Sequence, residues 1–254
     1  MTLDALRAPL HPDWLIPDWD VPAGIRAFVT TRAGGASLAP YDSLNLGTRC
    51  GDAPDAVARN RALLRACLPA EPAWLRQVHG AVVVDAASIG SEVDADASYA
   101  RSPGTVCGVL VADCMPVLLA ARDGSAVAVA HAGWRGMSGG VIEATVRAMA
   151  VAPPELVAWL GPAIGPSRFE VGADVLDAFT SGDARAASAF VPYPGRDGKF
   201  LCDLYALARR RLQALGVTQV SGGGYCTVGE SRFFSYRLDR VTGRMGAFVW
   251  IERQ

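Results

Sequence analysis

The dipeptide Asp123-Gly124 lies between two apolar runs, residues 117–121 and 126–130. Asp-Gly between such runs is typical of a two-residue turn that joins two antiparallel strands. A two-residue turn also fixes which residues face each other, because Arg122 must then pair with Ser125. The sequence therefore predicts a hairpin of known register in the middle of the chain.

This register brings a thiol and an imidazole together. Cys114 is predicted to lie opposite Gly133, and His131, two residues from Gly133, faces the same side of the sheet. A diagonal pair of this kind is separated by roughly 7–8 Å at Cα, a gap that two side chains can bridge through a metal ion. A three-residue loop would instead turn His131 to the opposite face.

A second imidazole lies in a separate segment. The chain has three histidines, of which His79 follows Gln77-Val78 and His131 opens the run His-Ala-Gly-Trp-Arg-Gly. His11 lies among the prolines of the N-terminal segment and is interpreted as a surface residue. Two imidazoles and one thiol are suitable ligands for one zinc ion, and without a fourth protein ligand the metal keeps an open position, as in catalytic zinc sites. Spacing alone does not bring His79 close to the other two.

Helical and extended patterns are mixed along the chain without a strict strand–helix alternation. We predict helices at 52–68, capped by Asp52 or Asp55, at 141–150, and at 203–215, capped by Asp203 and stopped by Gly216. Strands are predicted at 81–84, 106–112, 117–121, 126–130, 156–160, 233–237 and 245–251. This order favours an α+β or mixed-sheet sandwich and a single domain over residues 1–254.

Composition excludes several classes of protein. A formal charge of −1 argues against a nucleic-acid-binding protein, and no run of about eighteen apolar residues predicts a membrane span. The first twenty residues contain three prolines and do not have the pattern of a signal peptide. The six cysteines have no Cys-x-x-Cys spacing, which argues against a zinc finger. Because a secretory signal is not evident, we expect reduced thiols in a cytoplasmic protein.

At these residues the chain resembles the YfiH-like, laccase-domain family, whose members were formerly labelled polyphenol or multicopper oxidases. The resemblance runs nearly from end to end. It is carried by an ordered series of motifs: residues 30–35, 43–47, 51–52 with 60–61, 77–80, 112–114, 131–136, 161–165, 226–227, 233–237 and 242–245. Residues 93–98 depart locally from the family pattern, and no function is assigned to them.

The resemblance implies a layered α/β/β/α sandwich and a zinc-dependent purine nucleoside phosphorylase. Its substrates would be adenosine, inosine and methylthioadenosine with phosphate, and some adenosine deamination would accompany phosphorolysis. The zinc ligands of the family fall on His79, Cys114 and His131, which are then also the catalytic residues. We expect a monomer whose partners are nucleosides and phosphate.

Four further residues in the family motifs are candidates for substrate binding. Arg61, Arg135 and Arg237 are able to hold phosphate through bidentate contacts, or to serve as structural ion-pair partners. Asn45 is a candidate for binding ribose hydroxyls or, equally, for capping a turn.

Three other functions remain open at this point. Without metal, Cys114 and His131 would form the nucleophile and base of a thiol hydrolase or amidase, and bacterial relatives are associated with correcting peptidoglycan precursors. A structural zinc would need a fourth ligand, which is not evident. A multicopper oxidase would need on the order of ten histidines, so copper is disfavoured here with three.

Overall fold

The computed structural model describes residues 7–90 and 92–253, so both ends of the predicted domain, residues 1 and 254, lie outside the described residues. The described strands are β1 (Ile25–Val29), β2 (Leu75–Arg76), β3 (Val83–Asp85), β4 (Val93–Asp94), β5 (Ala97–Ala100), β6 (Val106–Val111), β7 (Met115–Ala121), β8 (Val127–Ala132), β9 (Leu156–Leu160), β10 (Glu170–Gly172), β11 (Phe190–Pro192), β12 (Lys199–Cys202), β13 (Gln219–Gly222) and β14 (Met245–Ile251). The described helices are α1 (Pro54–Arg65), α2 (Trp134–Ser138), α3 (Val141–Met149), α4 (Ala173–Thr180), α5 (Leu204–Leu215) and α6 (Tyr236–Asp239), with short 3-10 helices at Pro153–Glu155 and Ala184–Ala189.

A six-stranded mixed sheet forms the centre, in the order β13-β9-β7-β8-β5-β3. The predicted hairpin supplies its two middle strands, β7 and β8. Their register pairs Pro116 with His131 and Met115 with Ala132, which confirms the two-residue turn expected at Asp123-Gly124. This pairing aligns the start of β7 with the end of β8. Cys114 and His131 therefore lie together at one end of these two central strands.

A three-stranded sheet, β1-β14-β6, packs on one face of the central sheet. Alternating residues of β7 show the division: Leu118 and Ala120 lie in the core between the two sheets, together with residues of β14 and β6. Val117 and Leu119 point to the opposite face and are buried beneath helices. Such alternation is what a strand buried on both faces requires.

Helices cover the two outer faces. α3 and α5 pack on the central sheet through Ile142, Val146 and Leu212. On the other side, Leu64 of α1 packs with aromatic residues of the three-stranded sheet, including Phe248. The molecule is therefore an α+β protein with the expected α/β/β/α layers. Two smaller sheets, β10-β12-β11 and β2-β4, flank this sandwich.

Most predicted elements are present, but the predicted cap of the first helix was wrong. The N-cap of α1 is Ala53, and no side chain caps this end. The Asp52 carboxylate instead accepts hydrogen bonds from the Ser37 hydroxyl at 2.6 Å and the Asn45 amide at 3.0 Å. α5 is capped as predicted: Asp203 is its N-cap, with the carboxylate accepting from the Ala206 N–H, and Gly216 is its C-cap.

The strand predicted at 233–237 was also wrong. This segment is a turn that leads into the short helix α6, because the Ser235 hydroxyl caps the helix and accepts from the Leu238 N–H. No helix in the described part of the chain combines the length and apolar character that a membrane span requires.

Candidate metal centre and its cavity

A cavity of about 590 Å³ opens at the end of the central strands, where β7 begins and β8 ends. A volume of this size is in the range of small-molecule sites. Its wall contains residues of the predicted histidine, cysteine and arginine motifs: Gln77, His79, Ala112, Asp113, Cys114, His131, Gly133, Trp134, Arg135, Arg61 and Arg237.

Cys114 is held at the start of β7 by its neighbour Asp113. Asp113 has a left-handed backbone with φ of 87°, a conformation that aspartate tolerates better than most residues. Its carboxylate accepts hydrogen bonds from the hydroxyls of Thr227 at 2.6 Å and Ser235 at 2.7 Å, and from the Arg237 N–H at 2.6 Å. One side chain thus joins the thiol segment to the segment that carries Arg237.

His131 ends β8 and is almost fully buried, with 4% of its surface exposed. Its Nδ1 lies 2.8 Å from the carboxylate of Asp96, and its N–H donates to the Asp96 carbonyl at 2.7 Å. Because an ionised carboxylate only accepts, the proton of the neutral ring is on Nδ1, and Nε2 is left as the lone-pair atom.

His79 lies in an exposed loop between β2 and β3 and has a left-handed backbone with φ of 61°. The N–H groups of Val78, His79 and Gly80 donate to the same Asp96 carboxylate, at 3.1, 3.0 and 2.7 Å. The loop is therefore fixed, through the Asp96 side chain, to the segment between β4 and β5, although His79 itself is exposed to solvent.

The three predicted ligands converge. The candidate donor atoms of His79, Cys114 and His131 all lie within 4.8 Å of one another, and the two imidazole centroids are 4.9 Å apart. Gly133 makes room for this arrangement, because a Cβ there would lie 2.5 Å from the Cys114 Sγ. Among the described residues, no fourth histidine, cysteine or carboxylate joins the group.

The electrostatic setting favours a thiolate beside a cation. Burial by itself would raise the pKa of the Cys114 thiol, but the His131 and His79 imidazoles outweigh this effect and lower the pKa to about 6. Burial likewise opposes a charged His131, yet the negative charges of Cys114 and Asp96 raise its pKa. The pKa of Asp96 is lowered, against the effect of its burial, by His131 and by the N–H groups of Gly80 and Val78.

Two predicted arginines stack on aromatic rings in the cavity wall. The guanidinium carbon of Arg61 lies 3.8 Å from the ring centre of Trp74, and that of Arg135 lies 4.3 Å from the ring centre of Trp134. Burial lowers the pKa of Arg61. Stacking fixes the planar groups while leaving N–H donors free at their edges.

The third predicted arginine belongs to a basic segment that extends further than expected. Arg237 donates to the Glu170 carbonyl at 2.9 Å. Arg240 and Arg244 also line the cavity, with guanidinium carbons 5.8 and 5.7 Å from the ring centre of Tyr236. These three residues are spaced by three and then four positions, a pattern that is visible in the sequence but was obscured by the predicted strand.

Five of the arginines that line the cavity have no carboxylate partner in the described part of the chain, whereas Arg49 pairs with Glu92. Among the described residues, no ion pair within 4.0 Å is formed by Arg61, Arg135, Arg237, Arg240 or Arg244. Arg61, Arg237 and Arg244 are partly buried, and Arg135 and Arg240 are exposed. Their guanidinium groups give the cavity wall a positive charge, which suits it to an anion.

Asn45 lies behind the cavity wall. It is fully buried, and its amide oxygen accepts from the N–H groups of Gly47 at 2.9 Å and Arg244 at 2.8 Å. The amide nitrogen donates to Asp52. Of the two roles considered for Asn45, the structure therefore supports the turn-holding one and gives the side chain no free group for a ribose.

Residues 26–252 match the family described as multi-copper polyphenol oxidoreductase laccase. The chain belongs to this family. Similar proteins carry another name. A Pseudomonas aeruginosa protein named purine nucleoside phosphorylase is 52% identical to this chain, and the alignment covers 94% of this chain and 98% of that protein. The Escherichia coli (strain K12) purine nucleoside phosphorylase YfiH is also 52% identical, covering 93% and 98%.

Solved laccase-domain structures have the same architecture. A Neisseria meningitidis protein superposes with a TM-score of 0.91 at 50% identity, covering 95% of this chain and all of that one. YlmD from Geobacillus stearothermophilus superposes with a TM-score of 0.85 at 30% identity, covering 98% and 99%.

The residues present in this laccase-domain chain fit a zinc ion. One thiolate and two imidazoles are the donors that zinc prefers, and the low pKa of Cys114 supplies the thiolate. The Nδ1–H of His131 donates to the Asp96 carboxylate, which leaves Nε2 free to bind a metal. Three donors beside a cavity correspond to a catalytic site with an open position rather than to a closed structural site.

Proposed function

We propose that the protein is a zinc-dependent purine nucleoside phosphorylase, with adenosine, inosine and methylthioadenosine as substrates and adenosine deamination as an accompanying reaction. The names of its relatives support the enzyme class. The observation that carries the proposal is the convergence of His79, Cys114 and His131 on a cavity lined by five arginines that have no carboxylate partner among the described residues.

Phosphorolysis requires the cavity to position phosphate and to accommodate positive charge on the ribose. An oxygen of phosphate bonds to C1′ of the ribose while the bond to the purine breaks, and the base leaves with the electron pair and takes up a proton. The phosphate must therefore be held against the ribose, and the positive charge on the sugar must be tolerated. We assign the first task to Arg61, Arg135 and Arg237, whose guanidinium groups have donors available for bidentate contacts.

The three candidate metal ligands line the same cavity as these arginines. When bound, zinc would supply a Lewis acid at the cavity wall, beside an open coordination position. The Nδ1–H of His131 donates to the Asp96 carboxylate, and this hydrogen bond holds the orientation of the ring. In deamination the nucleophile is water instead of phosphate. Its oxygen bonds to C6 of the purine, and ammonia leaves from the same carbon.

The test is incubation with adenosine and phosphate, with and without a zinc chelator, followed by chromatography of the products. We expect adenine and ribose 1-phosphate, with a smaller amount of inosine, and loss of both products with chelator. Cys114→Ala should abolish activity and metal content, while Cys226→Ala, a partly exposed thiol outside the cavity wall, serves as the matched control. Full phosphorolysis by Cys114→Ala would refute the proposal.

A second function, a thiol hydrolase or amidase, is favoured by one observation. The lowered pKa of Cys114 beside the imidazole of His131 is the arrangement that activates a cysteine nucleophile. Metal analysis of protein purified without added zinc separates the two functions. Stoichiometric zinc supports phosphorolysis, whereas metal-free protein that hydrolyses amides supports the thiol mechanism.

We also propose a cytoplasmic location. All six cysteines are free thiols in the structure, as is usual in a reducing compartment. The monomeric state stays a prediction, which light scattering after size-exclusion chromatography will check.

A further inference from the structure

Asp96 is a fully buried carboxylate that contacts both predicted metal-binding histidines. It lies between β4 and β5 with no exposed surface. Within the described residues its ion-pair partner is His131 alone. A buried carboxylate is costly unless its lone pairs are occupied, and here four donors occupy them: three consecutive backbone N–H groups and one imidazole.

The backbone donors fix His79. The N–H groups of Val78, His79 and Gly80 all point to the Asp96 carboxylate. This convergence holds a loop in which His79 has a left-handed φ of 61°, a conformation that histidine adopts infrequently. Without the carboxylate, three N–H groups would lose their common acceptor, and the exposed loop would be free to relax.

The imidazole donor fixes His131. The Nδ1–Oδ1 distance of 2.8 Å sets both the tautomer and the orientation of the ring. The main chain adds a second constraint, since the His131 N–H donates to the Asp96 carbonyl at 2.7 Å. Nε2 is thereby directed to the group that contains Cys114 and His79.

We propose that Asp96 is the positioning residue of the metal centre, with one carboxylate preparing two of the three ligands before metal binds. The inference rests on the proposed metal site and deepens it. Asp96 does not contact the metal; it acts through the His79 backbone and the His131 ring. Residues that orient metal-bound histidines in this way commonly change metal affinity by roughly 10–100-fold when replaced.

The test compares Asp96→Asn with Asp94→Asn. Both substitutions replace a carboxylate by an amide on the same segment, but Asp94 is half exposed and pairs with Arg76 at the surface. Zinc affinity is measured by competition with a chromophoric chelator, and the absorption spectrum of the cobalt-substituted protein reports ligand geometry. We expect Asp96→Asn to weaken zinc binding by roughly 10–100-fold and to alter the cobalt spectrum, with Asp94→Asn close to wild type.

A merely structural role would give a different result. Asp96→Asn would then melt at a lower temperature, yet its zinc affinity and cobalt spectrum, recorded well below that temperature, would equal those of wild type. That result overturns the inference.

A measurement on the wild-type protein applies even where Asp96→Asn does not fold. Nitrogen-15 NMR of the zinc-bound protein reports which ring nitrogen of His131 carries the proton. Protonated Nδ1 with metal-bound Nε2 supports the inference, and the opposite tautomer refutes it. A wild-type protein that binds no zinc would instead refute the proposed metal site, so the two failures are distinguishable.

Discussion

Gly133 leaves the space that the thiol of Cys114 occupies. Its φ is −69°, which any residue can adopt, so alanine at this position is opposed only by the contact of 2.5 Å between its Cβ and Sγ. The thiol has to move for the methyl group to fit. Moving the Cys114 thiol should change the geometry of the proposed metal centre without straining the backbone.

We therefore expect Gly133→Ala to reduce phosphorolysis by roughly 100-fold, the effect of misplacing a catalytic group by about 1 Å. Steady-state kinetics with adenosine and phosphate measure this loss. Gly182→Ala is the control, because nothing lies within 4 Å of a Cβ at Gly182. Equal activity of the two variants would show that the thiol position is unimportant.

The six thiols should differ in reactivity. With its pKa lowered to about 6 by the neighbouring imidazoles, Cys114 is mostly thiolate at neutral pH. Burial raises the pKa of Cys107 to about 12, so this thiol stays protonated. In metal-free protein, alkylation of Cys114 should rise with pH around 6 and level off above it, while Cys107 stays unlabelled.

Mass spectrometry of the alkylated peptides measures this pH profile, and added zinc should protect Cys114. Labelling of Cys114 that rises only near pH 9 would contradict the proposed thiolate.

α6 shows how a partly buried carboxylate, that of Asp113, determines the conformation of a segment distant in sequence. Residues 233–237 are apolar and aromatic enough to resemble a strand. The helix forms because the Asp113 carboxylate accepts from the Arg237 N–H and the Ser235 hydroxyl, which also caps the helix. The partner lies more than a hundred residues earlier, so local pattern gives no sign of it.

Asp113→Asn should therefore disturb the arginine segment more than the thiol. Asparagine accepts the left-handed backbone of residue 113, but it loses charge-assisted hydrogen bonds worth about 1.5–3 kcal/mol each. We expect the KM for phosphate to rise about tenfold or more, with metal content unchanged. Kinetics at varied phosphate measure the effect, and Asp239→Asn on exposed α6 surface is the control; an unchanged KM would show that Asp113 does not position Arg237.

The sequence predicted the hairpin and missed the groups that support the metal centre, for a physical reason. The Asp123-Gly124 turn is local, and its register follows from two residues. The place of His79 beside Cys114 was known only from the family resemblance. Asp96, in contrast, acts through backbone N–H groups of another segment, and such acceptors carry no side-chain signature.

The proposed metal centre would connect segments that are otherwise held by separate contacts. Its ligands come from the loop before β3, the start of β7 and the end of β8. Zinc that binds only the folded chain must stabilise it, by about 2.7 kcal/mol at a concentration of 100 times the Kd. We expect the melting temperature to rise with zinc and fall with chelator, measured by calorimetry.

Cys114→Ala should remove this zinc dependence, and Cys226→Ala should retain it. A melting temperature that is independent of zinc in the wild-type protein would mean that these segments are not linked through a metal.

The unequal exposure of the two histidines has a consequence for how the ion is acquired. His131 is enclosed by the sheet, whereas His79 lies on the outer rim. At the proposed site an ion would then enter and leave on the His79 side, while the three backbone hydrogen bonds to Asp96 keep the loop in place. Occupancy is expected to follow the free zinc concentration of the surroundings throughout the lifetime of the protein, instead of being decided once when the chain is made.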